Sequence, residues 1–449
     1  MTGLTKPMLA VFEALTALLL VQGSDREALK ASRLADVDFL ESAIRDTHPD
    51  PQRMRARDEW APKIASIRQR AGELSDGRFF LELSSLVALL QDGHTRLLPS
   101  LDGDASRWYP IRFECFDDGV FVLAAGERYA SLVGGRVVAL GGKPIDDVLT
   151  AAAPAVPGDN PEGAETILER LLDSPVFLEG LGLGTGGASR IAVEIPGGER
   201  REVDLVPPEP GPPPFAGAWP ADWKRADAKP LLRDRDPERP YFVEFVEPQK
   251  AIYLRVRRIE QDDKERIVPF CSRAFALADE RGAERLVIDL RGNGGGNNYL
   301  VQPLVHAVLL SRLDVPGKVF VLVDGGTFSA AQNCASQLER ETSALFVGAP
   351  TGSSPNHCGD AMRFTLPNSG IRLWCSSVRW QDSDPRDKRR WIYPDFPAQT
   401  RFADFVAGRD PALEVSLTCT PGKIEGYDGI LPIAHWQRST QKDVWPPKH

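Results

Sequence analysis

A serine that follows a glycine turn is the side chain in this sequence best placed to act as a nucleophile. Ser329 comes after the apolar run 319–323 and the turn 324–328, and small residues at helical spacing follow it. Many serines at such a position only cap the helix, because serine is a preferred N-cap residue. The functional alternative is a nucleophile in the positive field of the helix N-terminus, with the amide of Ala330 free to bind an oxyanion. The pattern alone leaves both interpretations open.

A glycine-rich loop upstream of this serine has the same local organisation. The apolar run 286–290 leads into glycines at positions 292, 294, 295 and 296. Glycine allows the backbone to approach another group closely, as an amide that stabilises an oxyanion from about 3 Å must do. We therefore expect an oxyanion hole formed by the amide of Ala330 and that of either Gly295 or Gly296.

The same loop could instead bind a dinucleotide, since it follows a strand pattern and precedes a helical one. The fingerprint G-x-G-x-x-G requires glycine where Asn297 stands, and Arg291 precedes the glycines. No G-x-x-x-x-G-K-[ST] motif occurs in the sequence, and no cluster of residues has metal-ligand spacing. We therefore expect no nucleotide, no metal and no other cofactor.

Both candidate groups need a strand, a turn and a helix to position them. Repeated strand–turn–helix units predict an α/β fold with a parallel sheet. In such sheets functional residues lie at the carboxyl ends of the strands, where both glycine turns fall. Further strands are predicted at 251–256, 344–348 and 371–375, and a helix at 266–281.

Four separated motifs occur in one order along the chain: DGHT from Asp92, DLRGNGGGN from Asp289, GGTFSAA around Ser329, and the run 348–360. They resemble the serine peptidase family of the C-terminal-processing, or tail-specific, proteases, which also includes the tricorn core and the interphotoreceptor retinoid-binding protein. The resemblance covers residues 35–416. It implies a ClpP/crotonase-like parallel-sheet catalytic domain, an N-terminal helical domain and a PDZ-like β domain.

The resemblance also assigns a general base. In the tricorn-like branch the histidine of the DGHT motif, here His94, is the base beside the serine; the residue before it is a serine there and Gly93 here. The C-terminal-processing branch uses a lysine beyond the serine instead, but this chain has no lysine between Lys318 and Lys388. A histidine base is therefore expected, and His357 is the alternative to His94.

A carboxylate should orient the imidazole of a catalytic histidine. Asp382, Asp387 and Asp395 are the candidates that the sequence offers. An ordinary imidazole has a pKa near ~6.5, so the activity of a serine–histidine pair is expected to rise between about pH 6 and 8.

Composition is that of an ordinary soluble protein, with 449 residues, 42% hydrophobic and 26% charged. The net charge of −9 disfavours a nucleic-acid partner. The apolar run 8–21 is interrupted by Glu13 and is too short to span a membrane, although it resembles a signal-peptide core. Members of the resembling family are often exported, so a periplasmic or extracellular location is favoured over the cytoplasm. A homo-oligomer is left open.

The local patterns and the resemblance together give the expected domains. These are a signal or disordered segment at 1–30, a helical domain with the histidine motif at 31–100, a PDZ-like domain with a helical insertion at 108–206, a proline-rich linker at 207–240, a serine peptidase catalytic domain at 241–416 and a C-terminal tail at 417–449.

The function that the resemblance implies is a serine-type peptidase with a polypeptide substrate. One alternative is a catalytically inactive module that binds a hydrophobic ligand, as the retinoid-binding relatives do. Another is a peptide-binding scaffold that acts through the PDZ-like part, because PDZ domains bind peptides by strand addition. The presence of both Ser329 and His94 favours the enzyme, since a binding module needs neither.

Overall fold

The computed structural model describes residues 6–55, 58–102, 107–208, 220 and 222–419, with the backbone alone for 6–24 and 55. The helices are α1 (Lys6–Thr47), α2 (Gln52–Arg55), α3 (Trp60–Arg70), α4 (Asp76–Ala88), α5 (Ile145–Ala152), α6 (Pro161–Leu171), α7 (Pro175–Gly180), α8 (Ile267–Glu280), α9 (Gln302–Leu309), α10 (Ala330–Glu341), α11 (Phe402–Ala407) and α12 (Pro411–Thr418). The strands are β1 (Arg96–Leu98), β2 (Ile111–Phe116), β3 (Gly119–Ala125), β4 (Arg136–Leu140), β5 (Lys143–Pro144), β6 (Ser189–Glu194), β7 (Arg200–Leu205), β8 (Lys224–Arg225), β9 (Tyr241–Val246), β10 (Ala251–Val256), β11 (Arg285–Asp289), β12 (Val319–Val323), β13 (Leu345–Gly348), β14 (Asn356–Gly359), β15 (Met362–Thr365), β16 (Arg372–Cys375), β17 (Val378–Gln381) and β18 (Phe396–Pro397).

The predicted parallel sheet is present. Its six strands run in the order β18-β13-β12-β11-β10-β9, and every neighbouring pair is parallel except β10 and β9. Alternate side chains of a strand point to opposite faces. Ile288 and Val321 therefore pack into the core with α8, α9 and α10, whereas Val287 and Phe320 pack into the core with α12. This two-sided burial explains why the strands read as continuous apolar runs.

The predicted strand at 371–375 is β16, but it lies outside the parallel sheet. It pairs antiparallel with β1 and with β15. Because β1 begins two residues after His94, this pairing fixes the histidine segment to a part of the chain that follows the serine motif. Arg96 lies opposite Trp374 in the pair.

The N-terminal helices share one hydrophobic core with a largely antiparallel sheet in the middle of the chain. That sheet has the order β2-β3-β4-β6-β7, with β5 paired to β4 and β8 paired to β3. Leu83 of α4, Phe113 of β2 and Leu373 of β16 belong to the same cluster of buried residues. Segments that the sequence assigns to three different domains therefore contribute to one common core.

The ends of the chain lie partly outside the described residues. Within the expected segment 1–30 a helix begins at Lys6, and it ends at Thr47, as the His48-Pro49 pair predicts. Of the expected linker, residues 209–219 and 221 lie outside the described part, and so do residues 420–449 of the expected tail. Within the described residues, none of the helices combines the length and the apolar character that a membrane crossing requires.

A buried ion network holds the turn that follows β11. The guanidinium of Arg291 donates to Asp289 Oδ2 at 2.6 Å and to the two carboxylate oxygens of Asp410 at 2.7 and 2.8 Å. Burial alone would raise the pKa of Asp289, but the charges of Arg291 and Arg255 hold it well below its usual range. The network therefore fixes the start of the glycine loop to the N-terminus of α12.

Asp410→Asn should lower the free energy of unfolding by about 3 kcal/mol, because it removes one charge from a buried network and leaves Arg291 and Arg255 with the single carboxylate of Asp289. The amide can still accept the hydrogen bond from the amide of Leu413 that caps α12. Urea denaturation followed by circular dichroism measures the change. Glu284→Gln breaks an exposed pair with Lys250 and should leave the midpoint unchanged. Equal midpoints for the two variants would contradict the role given to Arg291.

Candidate active site

Ser329 lies between β12 and α10 in a conformation that non-glycine residues rarely adopt, with φ 56° and ψ −128°. Its side chain makes no capping hydrogen bond to α10, so the N-cap interpretation fails for the hydroxyl. Its amide donates to Ser353 Oγ at 3.4 Å. Strained backbone of this kind persists where the surrounding structure enforces it, and it is concentrated at functional sites. A sharp strand-to-helix turn is also how some hydrolases expose a nucleophilic serine.

The glycine loop packs directly against this serine. A Cβ on Gly295, whose φ is +99°, would lie 2.6 Å from Ser329 Cβ and 2.8 Å from the amide nitrogen of Ala330. The amide of Gly295 donates to Asn293 Oδ1 at 2.9 Å. The amides of Gly296 and Ala330 make no hydrogen bond to the described residues. Two free donors therefore flank the contact between the loop and the serine.

Two further contacts fix the loop. Asn293 is fully buried and donates through Nδ2 to the carbonyl of Val256 at 2.9 Å. Asp324 accepts from the amide of Gly292 at 2.8 Å and from that of Gly326 at 2.9 Å, which joins the two glycine turns to each other. The expectation that both turns meet at one edge of the sheet is thus confirmed.

His94 lies beside the residue that precedes the serine. Its ring stacks on Phe328 with centroids 4.2 Å apart and on His357 at 5.5 Å. The side chain is buried, and neither ring nitrogen has a hydrogen-bond partner in the described part of the chain. Burial, and then the charge of His357, lower the pKa of His94 to about 3. The ring is therefore neutral at pH 7, and the ordinary value near ~6.5 assumed from the sequence is wrong for this environment.

The backbone of His94 is held by Asp92 of the same motif. Asp92 Oδ1 accepts from the amide of His94 at 2.9 Å, and Oδ2 accepts from Thr95 Oγ1 at 2.6 Å and from His48 Nε2 at 3.0 Å. His48 Nδ1 accepts from the amide of Asp50, so a neutral His48 carries its proton on Nε2. Although burial alone would raise the pKa of Asp92, the hydrogen bond from His48 helps to hold it below its usual range.

His48, Asp92 and Cys358 place three potential metal ligands within 4.8 Å of one another. Both nitrogens of His48 are already used, one as donor to Asp92 and one as acceptor from Asp50. The imidazole has no free lone pair for a cation, and burial raises the pKa of the Cys358 thiol to about 12. The group therefore fits a hydrogen-bonded support better than a metal centre.

The three carboxylates expected to orient the imidazole have other partners. Asp382 accepts from Gln337 Nε2 at 2.6 Å, Asp387 pairs with Arg389 at 2.9 Å, and Asp395 accepts from the amide of Phe346 at 2.8 Å. Since the ring nitrogens of His94 have no partner among the described residues, none of these three carboxylates orients the ring in this structure. The ring of His94 is instead oriented by stacking on Phe328 and His357.

His357, the alternative base, is buried behind His94. Its Nδ1 donates to the carbonyl of Ser354 at 3.1 Å, because a carbonyl only accepts, and its Nε2 has no partner among the described residues. Burial lowers the pKa of His357. Both histidines are therefore neutral and have a free lone pair, but only His94 stacks on Phe328.

Two supporting residues of this site carry no functional signal in the sequence. His48 is conspicuous there only because it ends a helix before Pro49, and nothing within the motif 348–360 singles out Ser353. Both act through contacts between segments far apart in the chain, which a single sequence gives no means of pairing.

The ring of His94 should stay neutral from about pH 8 down to about pH 5, because burial lowers its pKa to about 3. Long-range proton–nitrogen NMR of the histidine rings measures this, with His94→Gln to assign the signal. The unfolded chain binds this proton below about pH 6.5, so this group makes the folded state less stable as the pH falls from that value towards 3. A midpoint for His94 between pH 6 and 7 would contradict the buried, unpartnered ring.

No family model and no curated protein matches this chain in sequence. Among solved structures, mature CPAF complexed with lactacystin is similar, with a TM-score of 0.57 and 14% identity over 84% of this chain and 95% of that chain. Mature CPAF gives a TM-score of 0.56 and 15% identity over 87% of this chain and 96% of that chain. The photosystem II D1 C-terminal processing protease covers 85% of this chain and 98% of its own at 14% identity, but its TM-score of 0.39 is too low to carry an argument.

At these identities the similarity establishes the fold. The chain has the mixed α/β fold of CPAF over almost the whole length of that protein. The CPAF structures therefore confirm, as a likeness of fold, the resemblance drawn from the four motifs. The tricorn protease also matches, at 15% identity over 86% of this chain and 36% of that chain, but its TM-score of 0.39 is likewise too low to carry an argument.

Proposed function

We propose that this protein is a serine-type peptidase that hydrolyses peptide bonds with Ser329 as nucleophile and His94 as general base. The observation that carries the proposal is the strained backbone of Ser329 beside the amides of Ala330 and Gly296, neither of which donates to another described residue. A binding module has no need to hold a serine in this conformation. The likeness of fold to CPAF, one solved structure of which is a complex with lactacystin, supports the same function.

The reaction begins with attack of Ser329 Oγ on the carbonyl carbon of the substrate. The hydroxyl proton passes to a ring nitrogen of His94, and the C–N bond breaks as His94 returns this proton to the leaving amine. Water then attacks the acyl-enzyme and loses a proton to His94. The bond between the acyl carbon and Ser329 Oγ breaks as His94 gives this proton to Oγ, which releases the acid product and restores the free enzyme. Ser329 and His94 are not hydrogen-bonded to each other in the free protein, and such catalytic contacts are often formed only with substrate.

The developing oxyanion needs two donors, and the sequence left the second one open. The amide of Gly295 already donates to Asn293 Oδ1, whereas the amide of Gly296 has no acceptor in the part of the chain that the structure describes. This difference supports Ala330 and Gly296 as the donors. Gly295 then has a different role, because its missing side chain allows the loop to approach Ser329.

A low pKa makes His94 a weak base in the free protein. His94 takes up the proton of Ser329 only as the hydroxyl attacks, so the groups around the ring must stabilise the imidazolium at that moment. Asp92 binds the backbone amide of His94, and its negative charge acts to raise the pKa of the ring against the effect of burial. We infer that Asp92 stabilises the imidazolium in place of a carboxylate bonded to the ring. The stacked rings of Phe328 and His357 support its orientation.

The finer architecture is part of the same proposal. The sheet from β9 to β18 with its helices corresponds to the ClpP/crotonase-like catalytic domain, and the sheet from β2 to β8 corresponds to the PDZ-like domain. The substrate is a polypeptide.

Ser329→Ala and His94→Ala should each lower the hydrolysis of fluorescent casein by about 10³-fold or more, because members of a catalytic unit act together. His357→Ala should cost less and act mainly on KM. Labelling with a fluorophosphonate should be lost in Ser329→Ala and kept in Ser272→Ala, which changes an exposed serine of α8.

Two outcomes would contradict these assignments in different ways. Full activity of Ser329→Ala would remove the peptidase proposal and favour the hydrophobic-ligand module. An inactive His357→Ala beside an active His94→Ala would keep the nucleophile and transfer the role of base.

Gly295→Ala should reduce the acylation rate by about 10²-fold or more, a loss comparable to that of an oxyanion donor. The new Cβ would lie 2.6 Å from Ser329 Cβ and must displace the serine or the loop. Gly294→Ala is the matched control, because a Cβ there meets nothing within 4 Å and its φ is not positive. Stopped-flow release of a chromogenic leaving group measures acylation. Similar rates for the two variants would show that the close approach is not needed.

A further inference from the structure

A carboxylate from the middle of the chain lies between the two halves of the candidate site. Asp159 is buried in the segment just before α6, within the region expected to be a helical insertion of the PDZ-like domain. Its Oδ1 accepts from the amide of Gly93 at 3.0 Å, and its Oδ2 accepts from the amide of Ser354 at 3.0 Å. Each oxygen therefore binds a different segment.

Both segments bound by Asp159 lead directly to groups of the proposed mechanism. Gly93 precedes His94, and it leaves no room for a side chain, because a Cβ there would lie 2.9 Å from the ring of Phe328. Ser354 follows Ser353, whose Oγ accepts from the amide of Ser329, and the carbonyl of Ser354 accepts from His357. One carboxylate thus connects the backbone of the base with that of the nucleophile.

The residues that follow Asp159 pack against the same loops. Asn160 Nδ2 donates to the carbonyl of Thr351 at 2.9 Å, and Thr166 Oγ1 donates to the carbonyl of Gly325 at 3.2 Å. A Cβ on Gly163 would lie 2.1 Å from the carbonyl oxygen of Gly352. The segment is therefore fitted to the active-site loops along its length, which makes Asp159 part of a built contact.

We propose that Asp159 is a positioning residue that sets the distance between His94 and Ser329 by binding the amides of Gly93 and Ser354 at once. The inference deepens the proposed peptidase function and rests on it. Because each oxygen of the carboxylate accepts from a different backbone amide, one side chain can hold two segments in register. A displacement of about 1 Å between reacting groups is enough to cost 10²-fold in rate.

The electrostatic environment supports a functional reason for this carboxylate. Burial, and then the charge of Asp92, raise the pKa of Asp159 to about 7. An acid whose pKa is raised on folding makes the folded state less stable once the pH exceeds the ordinary value of an aspartate, near ~3.9. Placing it there costs stability, as residues kept for activity often do.

Asp159→Asn tests the proposal, because it keeps the size of the side chain but places an NH2 group against one of the two amide donors. We expect kcat on a peptide ester to fall at least about 10-fold with KM within about twofold of wild type. Fluorophosphonate labelling should slow by the same factor while the final labelled fraction stays complete. Asp147→Asn, an exposed aspartate of α5 in the same region, should behave as wild type.

Titration with the fluorophosphonate counts the folded, reactive sites. Dividing the rate by this number separates an effect on positioning from a loss of folded protein. Should Asp159→Asn fail to fold, Asp159→Ser retains an acceptor for one amide and is measured in the same way. Normal kcat per labelled site in the folded variant would overturn the positioning role. Absence of both labelling and activity in wild type would instead overturn the proposed function.

Discussion

The contact of Gly295 with Ser329 and Ala330 is the constraint on which the rest of the site depends. Gly295 lies so close to Ser329 that there is no room for a side chain at this position. Ser329 itself has a positive φ, a backbone conformation that costs free energy in a residue other than glycine. Neither feature persists without support from outside the two turns. That support comes from buried contacts of the glycine loop and of the segment that carries His94.

Support for the glycine loop comes from opposite directions. Arg291 ties its first residues to Asp289 and Asp410, so the loop is anchored to β11 and to α12. Asn293 binds the carbonyl of Val256 at the end of β10, and Asp324 links the loop to the serine turn. Most of these partners are buried, so water competes little for their hydrogen bonds and the loop is held rigidly.

The histidine half of the site is built by a different part of the chain. His94 follows α4 and precedes β1, and Asp92 fixes its backbone while Phe328 and His357 contact its ring. Buried carboxylates accept from two consecutive amides, Asp159 from Gly93 and Asp92 from His94. The site is therefore assembled from three regions of sequence, and the parallel sheet supplies only the serine and its glycine loop.

The sequence was sufficient where the signal is local. The strands at 286–290 and 319–323, the two glycine turns and the position of Ser329 could be predicted, because apolar runs closed by glycine have few other structures. The pairing of β16 with β1 could not, since antiparallel partners so far apart leave no local pattern. The ordinary pKa assumed for His94 was wrong because burial depends on Phe328 and His357, which only the fold brings to it. The prediction that Asp382, Asp387 or Asp395 orients the imidazole was wrong for the same reason. In the folded chain each of these carboxylates binds another group instead.

The most direct test of the account is a crystal structure of the protein after reaction with a peptide boronic acid, which mimics the tetrahedral intermediate. We expect a bond from Ser329 Oγ to boron, one boronate oxygen within hydrogen-bond distance of the amides of Ala330 and Gly296, and a ring nitrogen of His94 within reach of the adduct. Boron bound to another residue, or an adduct on Ser329 whose oxygen points away from the glycine loop, would contradict it.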